Sequence, residues 1–187
     1  MKKVILAIAT FLVVAATSAF AGEYMGITGE QVRNTVTKEH TDFGVVAYGR
    51  TLGAFDVEGR VGVGRTVDTK ANSEFVEARA LYSLHDVKGF VPWVRATVGE
   101  QYNNGTNYAY WAVEPGVGYK ISNALRADVS ALRTQTINSN FKSANQTQYN
   151  LGATYALDNK NNFGVQLDKT RDSVKATTFE VSYKRAF

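Results

Sequence analysis

From Phe55 the chain alternates with a period of two. Phe55, Val57, Gly59, Val61 and Val63 fall on one parity, and Asp56, Glu58, Arg60, Gly62 and Gly64 on the other. That pattern predicts a strand with one apolar face and one charged face. The same split recurs in Ala109, Trp111, Val113, Pro115, Val117 and Tyr119 against Tyr108, Tyr110, Glu114, Gly116 and Lys120. It returns in Leu125, Ala127, Val129 and Ala131 against Arg126, Asp128 and Ser130, and in Tyr149, Leu151, Ala153 and Tyr155 against Gln148, Asn150, Gly152 and Thr154. The stretch from Tyr24 to Asn34 alternates poorly, so its register is left open.

Turn chemistry punctuates these runs at regular intervals: Leu52-Gly53, Asp86 to Gly89, Ser122-Asn123 and Asp158 to Asn162. Between them lies a second series rich in Thr, Asn, Ser and Gln, at Thr35–Thr41, Asp68–Asn72, Asn103–Asn107, Asn138–Asn145 and Arg171–Lys175. The expectation is an all-β chain of ten strands in five up-and-down hairpins, with short and long connections alternating. No motif recurs at the period, which excludes a repeat array.

Alternation alone does not say which face meets solvent; the exceptions do. Arg65, Glu100, Arg133 and Lys169 interrupt the apolar face, each roughly nine to twelve residues along from the preceding short turn, and a tilted strand crosses a bilayer core in about 9–11. Aromatic residues flank the apolar band, with Phe55, Phe90, Phe163 and Tyr119 by the short turns and Phe43, Tyr102 and Tyr149 by the long loops. Two aromatic girdles around an aliphatic middle point to a face turned toward lipid. A soluble barrel with its apolar face inward is the alternative.

Composition fits this reading. Lys2 and Lys3 precede an apolar run from Val4 to Ala16 and a small-residue site ending Ala19-Phe20-Ala21, so residues 1–21 are expected to be a cleaved signal peptide. The remaining Gly22–Phe187 is expected to form one barrel domain. Cysteine is absent, which excludes disulfide staples. Without Lys2 and Lys3, 19 of the 21 basic residues stand against 17 acidic ones, a balance that argues against nucleic acid as a partner.

The chain closes on "TTFEVSYKRAF". Phe179, Val181, Tyr183 and Phe187 share one face, while Thr178, Glu180, Ser182 and Lys184 share the other. Here the sequence resembles the bacterial outer-membrane β-barrels, either small barrels of the OmpA/OmpX type or porin-like ones. The resemblance covers the leader, the lack of cysteine, the connections and the aromatic C-terminus. It implies a transmembrane up-and-down antiparallel barrel, with eight strands as the alternative count. It also implies short turns on the periplasmic side, long loops outside, and recognition of Phe179, Val181, Tyr183 and Phe187 by the barrel-assembly machinery.

The expected inner face carries the basic residues Arg50, Arg60, Arg79, Arg95, Lys120, Arg126 and Lys184. Its acidic residues are Glu30, Asp56, Glu58, Glu77, Glu114, Asp128, Asp168 and Glu180. Charges facing a confined interior persist when paired, so a salt-bridged network is expected there. Tyr48, Trp93, Tyr108 and Tyr110 add bulk, and a largely filled or very narrow lumen follows for about ten strands.

Three functional classes remain: an envelope or interaction barrel, a narrow passive channel, and a rim enzyme. The last has little support. His85 sits in a short turn, and His40 with Asp42 lies in a solvated loop. "GRVGVGRT" at Gly59–Thr66 lacks the Lys-Ser/Thr of a phosphate loop. No metal-ligand spacing is present and no cofactor is expected. The partners expected are the lipid bilayer, with lipopolysaccharide phosphates as candidates for Arg65, Arg133 and Lys169, and a monomer is expected. Phe141 is a candidate loop contact for a partner.

Overall fold

A computed structural model describes residues 22–103, 106–137, 145–172 and 175–187. The leader, Phe141 and the Asn104-Gly105 pair lie outside the described residues.

Ten antiparallel strands run in chain order: β1 (Glu23–Asn34), β2 (His40–Leu52), β3 (Phe55–Thr66), β4 (Asn72–Ser83), β5 (Phe90–Asn103), β6 (Thr106–Lys120), β7 (Leu125–Thr136), β8 (Gln146–Ala156), β9 (Asn161–Asp172) and β10 (Ala176–Ala186). Each pairs with its neighbours in sequence, and β1 pairs with β10, so the sheet closes into a barrel with no free edge. The eight-strand alternative is excluded. Closure is continuous: β1 matches β10 from Tyr24↔Ala186 to Asn34↔Ala176.

The burial pattern is inverted relative to a water-soluble domain. Ile27, Val63, Val98, Leu151 and Leu167 are each at least half exposed, whereas Glu58, Arg60, Glu114 and Asp168 are buried. Apolar side chains therefore clothe the outside while charged ones fill the inside, the arrangement of a barrel solvated by lipid. Each exposed CH₂ that meets acyl chains instead of water contributes about 0.8 kcal/mol.

Aromatic pairs mark the lower edge of this belt. Phe55 packs on Tyr82 and Phe90 on Tyr119, each with ring centroids 4.7 Å apart. Tyr155, Phe163 and Tyr183 are cross-strand neighbours on β8, β9 and β10 and continue the girdle. The tilted rings place positive edges near negative faces, which adds to their area burial.

The connections are less regular than the turn signals imply. The link 104–105 between β5 and β6 spans two residues, because these strands extend to 14 and 15 residues and absorb the predicted polar loop. Conversely, the link 84–89 at the other end is longer than a tight turn. Val87 and Phe90 bridge there, and the Asp86 carboxylate accepts the Gly89 N–H at 2.8 Å.

Candidate functional site: a charged layer across the lumen

Arg60 on β3 is the hub of the interior. Its guanidinium lies 2.8 Å from Glu30 of β1, 3.4 Å from Glu77 of β4 and 3.9 Å from Glu58 on its own strand. Glu77 also receives Arg79 at 2.7 Å and the hydroxyl of Tyr110, and Glu58 receives Lys184 of β10 at 2.8 Å. On the next strands Arg95 of β5 approaches Glu114 of β6 at 3.4 Å. Glu114 in turn accepts Ser130 Oγ at 2.6 Å and Asn150 Nδ2 at 2.7 Å. Inward projections from β1, β3 to β8 and β10 thus meet in one layer. Period-two geometry brings them together, since each occupies the lumen parity of its strand.

This layer divides the interior. A cavity of about 520 Å³ lies toward the loop end, and one of about 550 Å³ toward the turn end. Arg95, Asn150, Gln166 and Glu180 line both. The largely filled lumen expected from the sequence is therefore filled only across its middle.

The remaining inward residues sit toward the turn end. Trp93 Nε1 donates to Asp128 at 3.0 Å, and Arg126 pairs with Asp128 at 2.5 Å. Asp56 accepts Thr51 Oγ1 at 2.6 Å. Lys120 reaches Asp86 at 2.6 Å, at the rim. Lys120 and the Gly89 N–H hold the exposed Asp86 carboxyl below its usual range.

Three inner- or outer-face expectations on β2 are corrected. Arg50 pairs in register with the outward Val57, and Tyr48 with Gly59, so both point away from the lumen. Phe43, expected in the outer girdle, instead lies inside against Phe75, ring centroids 5.9 Å apart. The physical reason is that β2 carries Val45 and Val46 on opposite faces, so its own periodicity decides nothing. Register with β3 decides it, and Phe43 enters the space left by the inward Gly64. Counting outward from the Leu52↔Phe55 pair would have placed all three.

At the loop end Arg65, Glu100, Arg133 and Lys169 all take the outward parity. Arg133 is neutralised by Asp172 at 2.9 Å. The two histidines lie at opposite ends, His40 at the start of β2 and His85 in the link 84–89. Among the described residues no group of three His, Cys, Asp or Glu side chains converges as a metal site. On the last strand Phe179, Val181 and Tyr183 face outward, and the Phe187 N–H donates to the Glu23 carbonyl at 3.0 Å.

No family model and no curated protein matches the chain. Solved structures do. An outer membrane channel from Pseudomonas putida F1 aligns with a TM-score of 0.59 at 9% identity, over 91% of this chain and 97% of that one. The fold is that of the bacterial outer-membrane β-barrels. The NanC porin aligns at 0.56 and 9% identity, over 87% of this chain and 100% of that one. The translocator domain of the autotransporter NalP from Neisseria meningitidis aligns at 0.52 and 10% identity, over 95% and 93%. These outer-membrane barrels share the closed wall with this chain at an identity too low to carry over any residue's role.

Proposed function

We propose that the protein is a non-enzymatic outer-membrane barrel that acts through its lipid-facing wall and its loop surface, with its lumen closed at mid-height. The observation that carries this reading is the division of the interior into two cavities by the ion-paired layer around Arg60 and Arg95. An ion crossing that layer would have to displace side chains held by several charge-assisted bonds. Reconstitution in planar bilayers tests it: no discrete conductance steps are expected in neutral salt, and resolved unitary steps from the wild type would overturn it.

A narrow passive channel is the second reading, favoured by the polar walls of both cavities and by their separation across so few side chains. Two structural neighbours, one an outer membrane channel and one a porin, point the same way. Replacing Arg95 by Ser is expected to open the passage under either reading, so the wild-type trace decides between them.

Residues 1–21 serve in this proposal as the export leader. The outward face of β10, with Phe179, Val181, Tyr183 and the terminal Phe187, serves as the signal for the assembly machinery. Arg65 and Lys169 are assigned to anionic groups of the outer leaflet, where guanidinium and ammonium groups bind phosphate well. Arg133 contributes less because Asp172 already occupies it.

A further inference from the structure

The basic groups of the middle layer are all committed: Arg60, Arg79 and Lys184 to Glu30, Glu58 and Glu77, and Arg95 to Glu114. Two carboxylates of the same layer, Asp168 on β9 and Glu180 on β10, form no ion pair among the described residues. They occupy adjacent strands: Asp168 is opposite Thr178, two residues from Glu180 on the same face. Asp168 is 1% exposed, and neither of its carboxylate oxygens has a donor in good hydrogen-bond geometry; Gln166 and Glu180 are the side chains close enough to interact with it.

The neighbouring strand carries a further unsatisfied oxygen. Asn150 lies directly across from Asp168 in the β8–β9 register. Its amide orientation is set by Nδ2, which donates to Glu114 Oε1 at 2.7 Å and to Ser130 Oγ at 3.1 Å. Oδ1 is therefore turned away from those acceptors, and it is buried without a donor of its own. The orphaned oxygens of Asp168 and Asn150, with the Glu180 carboxylate beside them, are an expensive arrangement in a confined interior. A positive charge is the species that would satisfy them all at once.

We propose that Asp168, Glu180 and the Asn150 carbonyl oxygen form a lumenal binding site for a hard divalent cation of the calcium class. The donors are all oxygen, which selects against zinc and copper. Two carboxylates match a charge of +2. Ligands drawn from three strands give an irregular cage, which calcium accepts more readily than magnesium does. The absence of a third carboxylate at the described positions leaves the rest of the shell to Gln166 and to water from the adjoining cavity, through which the ion enters.

The test uses the full barrel refolded in detergent and stripped of divalent ions. Terbium is titrated while its luminescence is followed, sensitised by Trp93 and Tyr110 of the inner wall, and calcium is then added as competitor. A saturable signal displaced by calcium is expected. Asp168→Asn or Glu180→Gln is expected to weaken binding at least tenfold, whereas Glu100→Gln on the outer face leaves it unchanged. Gln166→Glu, which adds a third carboxylate, is expected to tighten binding severalfold and keeps the test decisive should the other variants not fold. The proposal is overturned by a signal that calcium does not displace, or by wild-type affinity in folded Asp168→Asn and Glu180→Gln barrels. Either result would mean that the carboxylates hold protons or water instead.

Discussion

The interior of the barrel has two unlike walls. On β2 to β6 the inward positions include Phe43, Phe75, Trp93, Tyr108 and Tyr110. On β7 to β10 the described inward positions carry no aromatic residue; they are Ser, Thr, Asn, Gln, Gly and small aliphatic side chains with a few charges. All the aromatics of β8 to β10 face lipid, among them Tyr149, Tyr155, Phe163, Phe179 and Tyr183. A ten-strand wall encloses more space than an eight-strand one, which side chains just fill. This chain fills one wall with rings and guanidinium groups and leaves the other lined with short polar groups; the turn-end cavity runs mostly along the latter, while the loop-end cavity is lined from both walls.

The largest expected effect comes from the hub of the crowded wall. Arg60→Met leaves Glu30, Glu58 and Glu77 with one fewer cation, and removing one partner of a buried charge network costs about 3–5 kcal/mol. Urea unfolding of the barrel in lipid vesicles, followed by tryptophan fluorescence, measures it. The corresponding change on the open wall, Asp168→Asn, removes a charge that has no ion-pair partner among the described residues. It is expected to be neutral or stabilising in calcium-free buffer, so equal losses at the two sites would break the comparison.

Glycine exchanges sharpen it at a smaller scale. A Cβ on Gly62 would fall 2.2 Å from the Phe75 ring, and one on Gly116 2.3 Å from Trp93. Gly62→Ala should therefore cost about 1–3 kcal/mol by overpacking, unless the ring finds another rotamer. On the open wall a Cβ on Gly152 meets nothing closer than 3.4 Å. Gly152→Ala is expected to change the unfolding midpoint slightly or to raise it, since it restricts the unfolded chain.

The contrast between the walls also explains what the sequence made legible. Strands β3, β6 and β8 separate polar from apolar residues cleanly, so their inward Glu58, Arg60, Glu114 and Asn150 could be placed by parity alone. Arg50, Tyr48 and Phe43 could not, because both faces of β2 are apolar at mid-strand and only its pairing with β3 breaks the tie. The partners within the layer were likewise hidden. Parity puts Arg60 inside, but its 2.8 Å contact with Glu30, on a strand that alternates poorly, depends on the pairing of β1 with β2 and β10. That the interior remains hollow at both ends depends on which side chains share a level, and level follows from strand tilt rather than from local pattern.

The smallest effect is expected where the crowded wall reaches water. Lys120 ends β6 at the turn-side rim and donates to Asp86 at 2.6 Å, but here both side chains are well exposed. Their attraction is screened by solvent, unlike that between Arg60 and Glu30. The pairing still holds the Asp86 carboxyl below its ordinary range, with the Lys120 hydrogen bond as the main cause and the Gly89 N–H as the second. A carboxylate with a depressed folded-state value contributes its stability fully above about pH 4 and loses it as the pH falls further. Asp86→Asn should therefore lower the unfolding midpoint slightly at neutral pH, with the difference shrinking at high salt and vanishing in acid. Midpoints measured for both proteins from neutral pH downward test this, and a difference that persists in strong acid would mean that the Gly89 turn, rather than the charge, is what Asp86 supports.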